Sequence, residues 1–203
     1  MSEESGLIYR ISGPVVTAVG ISPRMYEVVR VGDEGLMGEV IELHGDQSVI
    51  QVYEETSGIK PGEPVVRTGQ TLSVKLGPGL LTQIYDGIQR PLESLEETMG
   101  VFITRGVDAD GLDLTKKWEF NATASAGDEV SGGSVIGFVQ ETETVEHKIM
   151  IPPGHSGKIA SIESGEFDIT TSVCTLEDGT EIAMMQEWPV RTPRPFKQKN
   201  APD

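Results

Sequence analysis

Short apolar runs, separated by turn residues, make up the N-terminal part of the chain. The runs cover residues 7–9, 15–19, 25–31, 36–43, 48–53 and 71–76. His44-Gly45-Asp46-Gln47, between two of them, has the composition of a hairpin turn. Strands this short and this closely spaced are typical of a small closed barrel, because closure removes the free edges of the sheet. We therefore predict a mainly β chain that begins with a six-stranded β-barrel over residues 1–76.

A helical period occurs in only one stretch, Leu76 to Gly100. Two sets of apolar residues recur at helical spacing, Leu80, Leu81, Ile84 and Ile88 and then Leu92, Leu95 and Met99. Gly87 and Pro91 interrupt the period, which predicts two short helices rather than one. Pro91 suits a first helical turn, and the negative charges that follow it, Glu93, Glu96 and Glu97, suit the positive end of a helix. Residues 77–110 are accordingly predicted to be a short helical connector.

Residues 111–190 return to short strands of a different character. Their turn signals are Gly127-Asp128, Pro152-Pro153-Gly154 and Ser164-Gly165-Glu166. This spacing predicts a second β domain, a compact flattened β-sandwich, with Trp118 and Phe120 in a core or an interface. After Trp188, three prolines within seven residues predict an extended segment, and the polar end from Lys197 to Asp203 is not expected to be ordered alone.

Composition narrows the function classes. The 203 residues include 24 glycines and 12 prolines, which favours many turns and little helix. A net charge of −16 argues against a nucleic-acid binder and against an anionic membrane surface as partner. No apolar run approaches the roughly 20 residues of a membrane helix, and the acidic N-terminus is not a signal peptide. Cys174 is the only cysteine, so there is no disulfide framework, and we expect a cytoplasmic protein.

A phosphate-binding loop is not predicted anywhere in the chain. Gly157-Lys158 is the only Gly-Lys pair. Pro152 stands where the motif's first glycine belongs, and Ile159 stands where serine or threonine belongs. No dinucleotide-binding glycine motif is present either.

Other candidate groups are interpreted as structural. His44, His147 and His155 lack metal-ligand spacing to another histidine or cysteine. Cys174 lies in an apolar run and is expected to be a buried small hydrophobe. The acidic pairs Glu141-Thr142-Glu143 and Glu54-Glu55 are expected to lie on solvated faces. We therefore assign no catalytic, cofactor-binding or metal-ligating residue in this chain.

The block from Gly127 to Asp178 contains a series of short motifs: Gly127-Asp128-x-Val130, Gly132-Gly133, Glu141-Thr142, Pro153-x-x-Ser156-Gly157 and Gly165. Through these motifs the block resembles biotinyl and lipoyl carrier domains. The resemblance implies a hairpin whose tip carries a modified lysine. Here the tip is Glu141-Thr142-Glu143-Thr144, and Thr144 stands where the amine is needed. Lys148 is four residues further on and is expected in mid-strand. A carrier domain modified on Lys148 remains an alternative, which intact mass after expression with a ligase would test.

Seven segments along the chain carry a second resemblance: Ile11 to Val16, Leu36 to Ile41, Val49 to Gly58, Gly77 to Leu81, Tyr85 to Leu92, Lys116 to Trp118 and Met185 to Pro195. Through these segments, in this order, the chain as a whole resembles the N-terminal portion of the catalytic A subunit of archaeal A-type and vacuolar-type rotary ATPases. The run Tyr-Asp-Gly-Ile-Gln-Arg-Pro-Leu at 85–92 is the most specific of them. Asp86 and Arg90 within it are expected to cap a helix or to form an interdomain pair.

The resemblance implies a layout and a set of partners. Residues 1–76 would be a crown barrel that alternates with B subunits in a hexameric ring. Residues 111–190 would be a bulge that contacts the peripheral stalk, and 191–203 a tether towards a nucleotide-binding domain. The implied location is cytoplasmic and peripheral to the cell membrane, which the chain would reach only through the assembled complex.

The resemblance also implies a limit on the chemistry. In the family, Mg-ATP is made or hydrolysed in a later domain, coupled to proton or sodium transport, and this sequence ends at Asp203, before that domain. The chain would then be a truncated product, a designed fragment or one piece of a split subunit, with no cofactor of its own. Whether it is an enzyme in any form stays open. A free-standing adaptor for stalk proteins is a further alternative, which the genomic sequence downstream of Asp203 would test.

Overall fold

A computed structural model describes residues 5–99, 105–107 and 109–196. The chain divides into two compact units. The barrel unit is drawn from Met1–Ser73 and Leu95–Asp108, and the sandwich unit from Val74–Ser94 and Ala109–Asp203. No helix among the described residues is long and apolar enough to span a membrane.

Six antiparallel strands close the barrel. They are β1 (Ser5–Ser12), β2 (Val15–Val19), β3 (Glu27–Val31), β4 (Leu36–His44), β5 (Gln47–Val52) and β6 (Pro64–Thr71). Their order around the barrel is β1-β2-β5-β4-β3-β6. The closed six-stranded barrel is thus confirmed, and so is the hairpin turn, which Gly45 and Asp46 form between β4 and β5.

Inward-facing aliphatic side chains fill the barrel. Alternate residues of the strands are fully buried, among them Val16, Val29, Val40 and Ile50. Gly38 on β4 makes room for this packing, because a Cβ there would lie 2.6 Å from Cγ2 of Ile50. Many of these residues are β-branched, and β-branched side chains pack well on a pleated, half-buried surface. The apolar runs in the sequence therefore fold as strands.

The sixth strand differs from the prediction. It is β6, Pro64–Thr71, and not the run 71–76. The turn residues up to Pro64 conceal it in the sequence, and only Val65 and Val66 are apolar. Proline is tolerated as the first residue of a strand, and Pro64 pairs with Leu7 of β1. Most of the run forms β7 (Ser73–Leu76), which pairs with a strand near the end of the chain.

Only one of the two predicted connector helices is confirmed. Helix α1 spans Leu92–Met99 with Glu93 in its first turn, and Pro91 lies directly before it. The first predicted helix is wrong, because only Leu80–Thr82 forms a single 3-10 turn. The side chains of Leu81 and Ile84 are 61% and 65% exposed, so no buried stripe exists to stabilise a longer helix. Gly100 lies outside the described residues.

Residues 77–110 contribute to both units. Residues 77–94 and 109–110 belong to the sandwich unit, and residues 95–108 belong to the barrel unit. The domain bounds 1–76, 77–110, 111–190 and 191–203 stay a prediction.

Nine strands belong to the described second half of the chain. They are β8 (Lys117–Ala122), β9 (Glu129–Ser131), β10 (Val135–Gln140), β11 (Glu146–Met150), β12 (Ser156–Ile162), β13 (Gly165–Asp168), β14 (Ser172–Leu176), β15 (Glu181–Ala183) and β16 (Gln186–Pro189). One sheet has the order β11-β10-β8-β13 and the other β15-β14-β12-β9, while β16 pairs with β7.

One continuous core lies between the two four-stranded sheets. Phe120 and Ile136 of the first sheet belong to the same buried cluster as Ile159 and Leu176 of the second. The predicted β-sandwich is therefore confirmed, and Trp118 and Phe120 are buried in its core. The ring of Phe120 packs directly on Gly137, where a Cβ would lie 2.4 Å from two ring carbons.

The segment after Trp188 is not simply extended. Thr192 N donates to the carbonyl of Pro189 at 3.1 Å, and Trp188 Nε1 donates to the carbonyl of Thr192 at 2.7 Å. Residues 189–192 therefore form a turn, and the prediction of an extended segment is wrong there. The guanidinium of Arg194 lies 4.7 Å from the centre of the Trp188 ring. Lys197 to Asp203 lie outside the described residues.

Candidate functional site

A buried carboxylate ties the connector to the sandwich core. Glu141 follows β10 directly, and its side chain is 0% exposed. Its Oε1 accepts hydrogen bonds from the backbone N–H of Gly79 at 2.8 Å and of Leu81 at 3.0 Å. Its Oε2 is 2.8 Å from Nδ1 of His147 on β11. One side chain therefore joins a hairpin tip to a turn some sixty residues earlier.

We call the carboxylate of Glu141 and its three donors the clasp. The electrostatics of the clasp favour the ionised form of this carboxylate. Burial alone would raise the pKa of Glu141, but the hydrogen bonds from Leu81, His147 and Gly79 outweigh burial and lower the pKa below its ordinary value of 4.5. Burial, and then the charge of Glu141, raise the pKa of the Tyr85 phenol. The clasp is thus an anion held by two backbone N–H groups and the ring of His147.

Hydrogen bonds and an ion pair stabilise the loop that follows the 3-10 turn. Asp86 Oδ2 is 2.7 Å from Nε of Arg90, and Asp86 Oδ1 accepts the N–H groups of Ile88 and Arg90. Tyr85 bridges to Pro91, and the N–H of Leu92 donates to the carbonyl of Ile84 at 2.9 Å. Asp86 and Arg90 therefore pair with each other within a turn, and the predicted helix cap at Asp86 is wrong because no helix forms there.

Gln89 secures the same loop to strand β7. Its Oε1 accepts the N–H of Lys75 at 2.7 Å, and its Nε2 donates to the carbonyl of Lys75 at 2.6 Å. The side-chain amide thus pairs with the backbone of β7 as a neighbouring strand would. Gln89 itself has a φ of 62°, a strained value for a residue other than glycine, and the two hydrogen bonds offset that strain.

The barrel unit has its own buried ion pair. Glu27 on β3 is 2% exposed at its side chain and faces Arg67 on β6. Arg67 Nε and Nη2 donate to the two carboxylate oxygens at 2.9 and 3.0 Å, and the N–H groups of Arg24 and Gly69 donate to the same carboxylate. Burial opposes ionisation of Glu27, but these donors prevail and lower its pKa.

A short segment after helix α1 docks on the end of the barrel. Arg105 Nη1 donates to the carbonyl of Glu55 at 2.9 Å, and its Nη2 donates to Glu34 Oε1 at 2.9 Å. Glu54 accepts the N–H groups of Met37 and Gly106 at 3.3 and 2.9 Å. Glu54 is therefore half-buried and engaged, so its predicted solvated face is wrong, whereas Glu55 is exposed as expected.

Large apolar side chains lie on the outside of the described barrel. Each is more than a third exposed; they are Leu7, Tyr9, Met25, Tyr26, Leu43 and Tyr53. Single exposed apolar residues are ordinary, and each of these six is a candidate for contact with another protein.

The candidates for phosphate and metal chemistry lie in unsuitable places. Gly157-Lys158 lies within β12, so it does not form a loop before a helix. His44 is exposed and is 2.8 Å from Glu42. Cys174 is buried in β14 as expected, and burial raises the pKa of its thiol. Within the described part of the chain, no three metal-binding side chains come together.

The hairpin on which the resemblance to carrier domains rests is present in the structure. Residues 141–145 form the tip between β10 and β11, so Thr144 lies at the tip as predicted. Lys148 is exposed in mid-strand, opposite Phe138 of β10. A lysine in mid-strand is constrained by its neighbours, whereas a carrier lysine needs the freedom of a turn.

The clasp at Glu141 is not predictable from the sequence pattern. Glu141-Thr142-Glu143 is predicted to lie on a solvated face, and this is wrong for Glu141, which is buried, while Glu143 is exposed. The available signal was weak: a glutamate directly after an apolar strand, with a histidine six residues later. The donors at Gly79 and Leu81 are too far away in sequence for any spacing rule to find them.

Comparison with known proteins matches both halves of the chain. The β-barrel domain of the ATP synthase alpha/beta family matches residues 8–69, and the barrel-sandwich domain of the ATP synthase alpha/beta subunit matches residues 109–191. Similar curated proteins are A subunits of A-type ATP synthases. They include those of Methanosarcina barkeri (62% identity over 200 residues), Haloferax volcanii (58% over 201) and Natronomonas pharaonis (57% over 200).

These matches cover 98% of this chain but only 34% to 35% of each relative. The chain therefore spans about a third of the length of the curated relatives that it matches. With its closed barrel and its barrel-sandwich domain in the same order, the chain belongs to the family of A-type ATP synthase A subunits and corresponds to the N-terminal portion of such a polypeptide.

Proposed function

We propose that this chain is the structural and assembly portion of a catalytic A subunit in a rotary ATP synthase. The observation that carries the proposal is the match over nearly the whole chain, together with two β domains and no phosphate-binding loop in the sequence. Each domain contains a buried carboxylate with a partly exposed partner, Glu27 with Arg67 and Glu141 with His147.

The barrel, residues 1–76, is proposed to form a ring with the barrels of companion B subunits. Its six exposed apolar side chains, from Leu7 on β1 to Tyr53 after β5, support this role. Burying such side chains contributes about 25 cal/mol per Å² of apolar surface, which is the main source of stability in subunit contacts.

The sandwich, residues 111–190, is proposed to contact the peripheral stalk. Residues 77–110 connect it to the barrel, and residues 191–203 lead towards a nucleotide-binding domain. ATP synthesis or hydrolysis, coupled to proton or sodium transport, would take place with Mg-ATP in the complete subunit, on the cytoplasmic side of the membrane. We assign no catalytic, cofactor or metal residue to the chain itself.

Assembly with a B subunit tests the proposal directly. The 203-residue chain is mixed with a B subunit of the same family, and the products are weighed by native mass spectrometry. We expect a heteromeric complex that weakens when Leu7 and Tyr9 are changed to serine and persists when the sandwich residue Val135 is changed to serine. An unaltered mass for the mixture would contradict the ring contact.

Nucleotide binding provides an independent test. Titration of the chain with Mg-ATP, followed by calorimetry, should show no binding. A micromolar, magnesium-dependent affinity would contradict the assignment of ATP chemistry to other parts of the subunit.

A further inference from the structure

Residues 79–83, which we call the strap, bury little apolar surface against the rest of the sandwich unit. None of the residues in the single 3-10 turn of the strap, Leu80–Thr82, is fully buried, and the side chain of Leu81 is 61% exposed. Leu80 packs against the sandwich core, but only as a partly buried side chain. Apolar burial therefore contributes little to holding the strap in place.

Hydrogen bonds to the clasp hold the strap instead. Glu141 Oε1 accepts the N–H of Gly79 at 2.8 Å and the N–H of Leu81 at 3.0 Å, and the side chain of Glu141 is 0% exposed. Hydrogen bonds to an ionised acceptor are stronger than hydrogen bonds between neutral groups. The closed position of the strap therefore depends on one carboxylate.

The chain on either side of the strap is fixed independently of the clasp. Before the strap, β7 (Ser73–Leu76) pairs with β16. After the strap, the carbonyl of Ile84 accepts the N–H of Leu92 at 2.9 Å. The strap is therefore a short segment between two anchors, and it can leave the sandwich while both anchors stay paired.

The indole ring of Trp118 lies beneath the strap. A Cβ on Gly79 would be 3.4 Å from Cζ2 of Trp118, so the backbone of the strap lies close to the ring. Trp118 is only 7% exposed. Its Nε1, like Oε1 of Gln83 in the strap, is buried without a hydrogen-bond partner among the described residues. Because a buried polar group without a partner is destabilising, contact with water favours the open strap at both atoms.

We propose that the strap opens from the sandwich as a local unit, that Glu141 is its latch, and that opening uncovers Trp118. Local opening breaks the two bonds from the strap to Glu141 while the strands of the sandwich stay paired. It exposes much less surface than global unfolding does, and it therefore requires less free energy. The proposal concerns the sandwich unit alone and does not depend on assembly with other subunits.

Amide hydrogen exchange of the 203-residue chain, followed by NMR, tests local opening. The reporters are the N–H groups of Gly79 and Leu81, and the references are those of Phe120 and Val139 in the inner strands of one sheet. We expect about a hundredfold less protection at the reporters. Urea below the unfolding transition should accelerate exchange at the references only, because local opening exposes little surface. Equal protection with equal urea dependence would overturn local opening.

The indole N–H of Trp118 tests what the opening uncovers. Its exchange should be slower than that of an unprotected indole and, like exchange at Leu81, insensitive to low urea. Exchange with the urea dependence of Val139 would show that the ring stays covered until the sandwich unfolds. Exchange at the rate of an unprotected indole would show that the strap does not cover it. Either result would overturn this part of the proposal.

Glu141→Gln tests the latch. The change replaces an ionised acceptor with a neutral amide, so exchange at Gly79 and Leu81 should become about tenfold faster or more. The matched control is Glu143→Gln, at an exposed side chain in the same hairpin tip, which should leave exchange at the strap unchanged. Equal exchange in the two variants would show that Glu141 is not the latch. If Glu141→Gln fails to fold, exchange in the parent chain still decides whether the strap opens locally.

Discussion

Nδ1 of His147 lies 2.8 Å from Oε2 of Glu141, and both residues belong to the hairpin formed by β10 and β11. The other oxygen of Glu141 holds the N–H groups of Gly79 and Leu81. A single buried carboxylate therefore has three donors, two of them in the connector. The local conformation of the connector depends on the charge of a residue in the sandwich.

Replacing Glu141 with glutamine should destabilise the sandwich unit. The change removes a charge from three hydrogen bonds and points an amide N–H at a donor, which costs about 1–3 kcal/mol. Trp118 and Trp188, the two tryptophans of the sequence, both lie in the sandwich unit, so urea unfolding followed by tryptophan fluorescence reports on it. The matched control, Glu143→Gln, should unfold at the midpoint of the parent chain. Equal midpoints for the two variants would show that the clasp contributes nothing.

Arg67→Ala should destabilise the barrel unit strongly. It leaves the buried carboxylate of Glu27 without its bidentate partner, and breaking a buried pair in this way costs about 3–5 kcal/mol. Arg67→Lys should recover part of the loss because it restores the charge without the fork. Loss of far-UV circular dichroism in urea is the measurement, with the exposed Arg10→Ala as control. A decrease in the free energy of unfolding as small as that of Arg10→Ala would show that the Glu27–Arg67 pair contributes little to stability.

Gly137→Ala should disrupt the sandwich core. The new methyl group would lie 2.4 Å from the ring of Phe120 and 2.6 Å from the carbonyl oxygen of Asn121, so the ring or the strand must move. We expect a cost of about 1–3 kcal/mol, as for other overpacked cores. Gly87→Ala is the control, since a Cβ there meets no atom within 4 Å. Tryptophan fluorescence in urea should separate the two variants, and no difference would contradict the packing.

Acid should destabilise both units. The pKa values of Glu27, Asp86 and Glu141 are all lowered in the folded chain. Their contribution to stability is present above the ordinary values of 4.5 and 3.8 and is lost as the pH falls through the lower folded values. The urea midpoint should therefore be constant near neutrality and fall below about pH 4.5. In Glu141→Gln, the urea midpoint followed by tryptophan fluorescence should fall less steeply with decreasing pH than in the parent chain. An equally steep fall would show that Glu141 does not contribute to the pH dependence of stability.

The strands could be predicted where the local pattern is strong. β2, β4 and β5 follow apolar runs with a turn between β4 and β5, and the structure has them within one or two residues of the predicted bounds. β6 is not predictable from the pattern because most of its residues are polar, and its place is decided by pairing with β1 and β3. The first connector helix failed for the opposite reason: Leu81 and Ile84 have helical spacing but no surface to bury against.

The sequence by itself determined the fold class, which is a closed barrel followed by a β-sandwich. It also determined the resemblance to the A-subunit family. Both depend on composition, apolar period and short motifs. Tertiary structure alone decided that Glu141 is buried while Glu143 is exposed. The cost of burying a carboxylate depends on its hydrogen-bond donors. Here two of those donors, at Gly79 and Leu81, come from the connector some sixty residues earlier, and only folding brings them to the carboxylate.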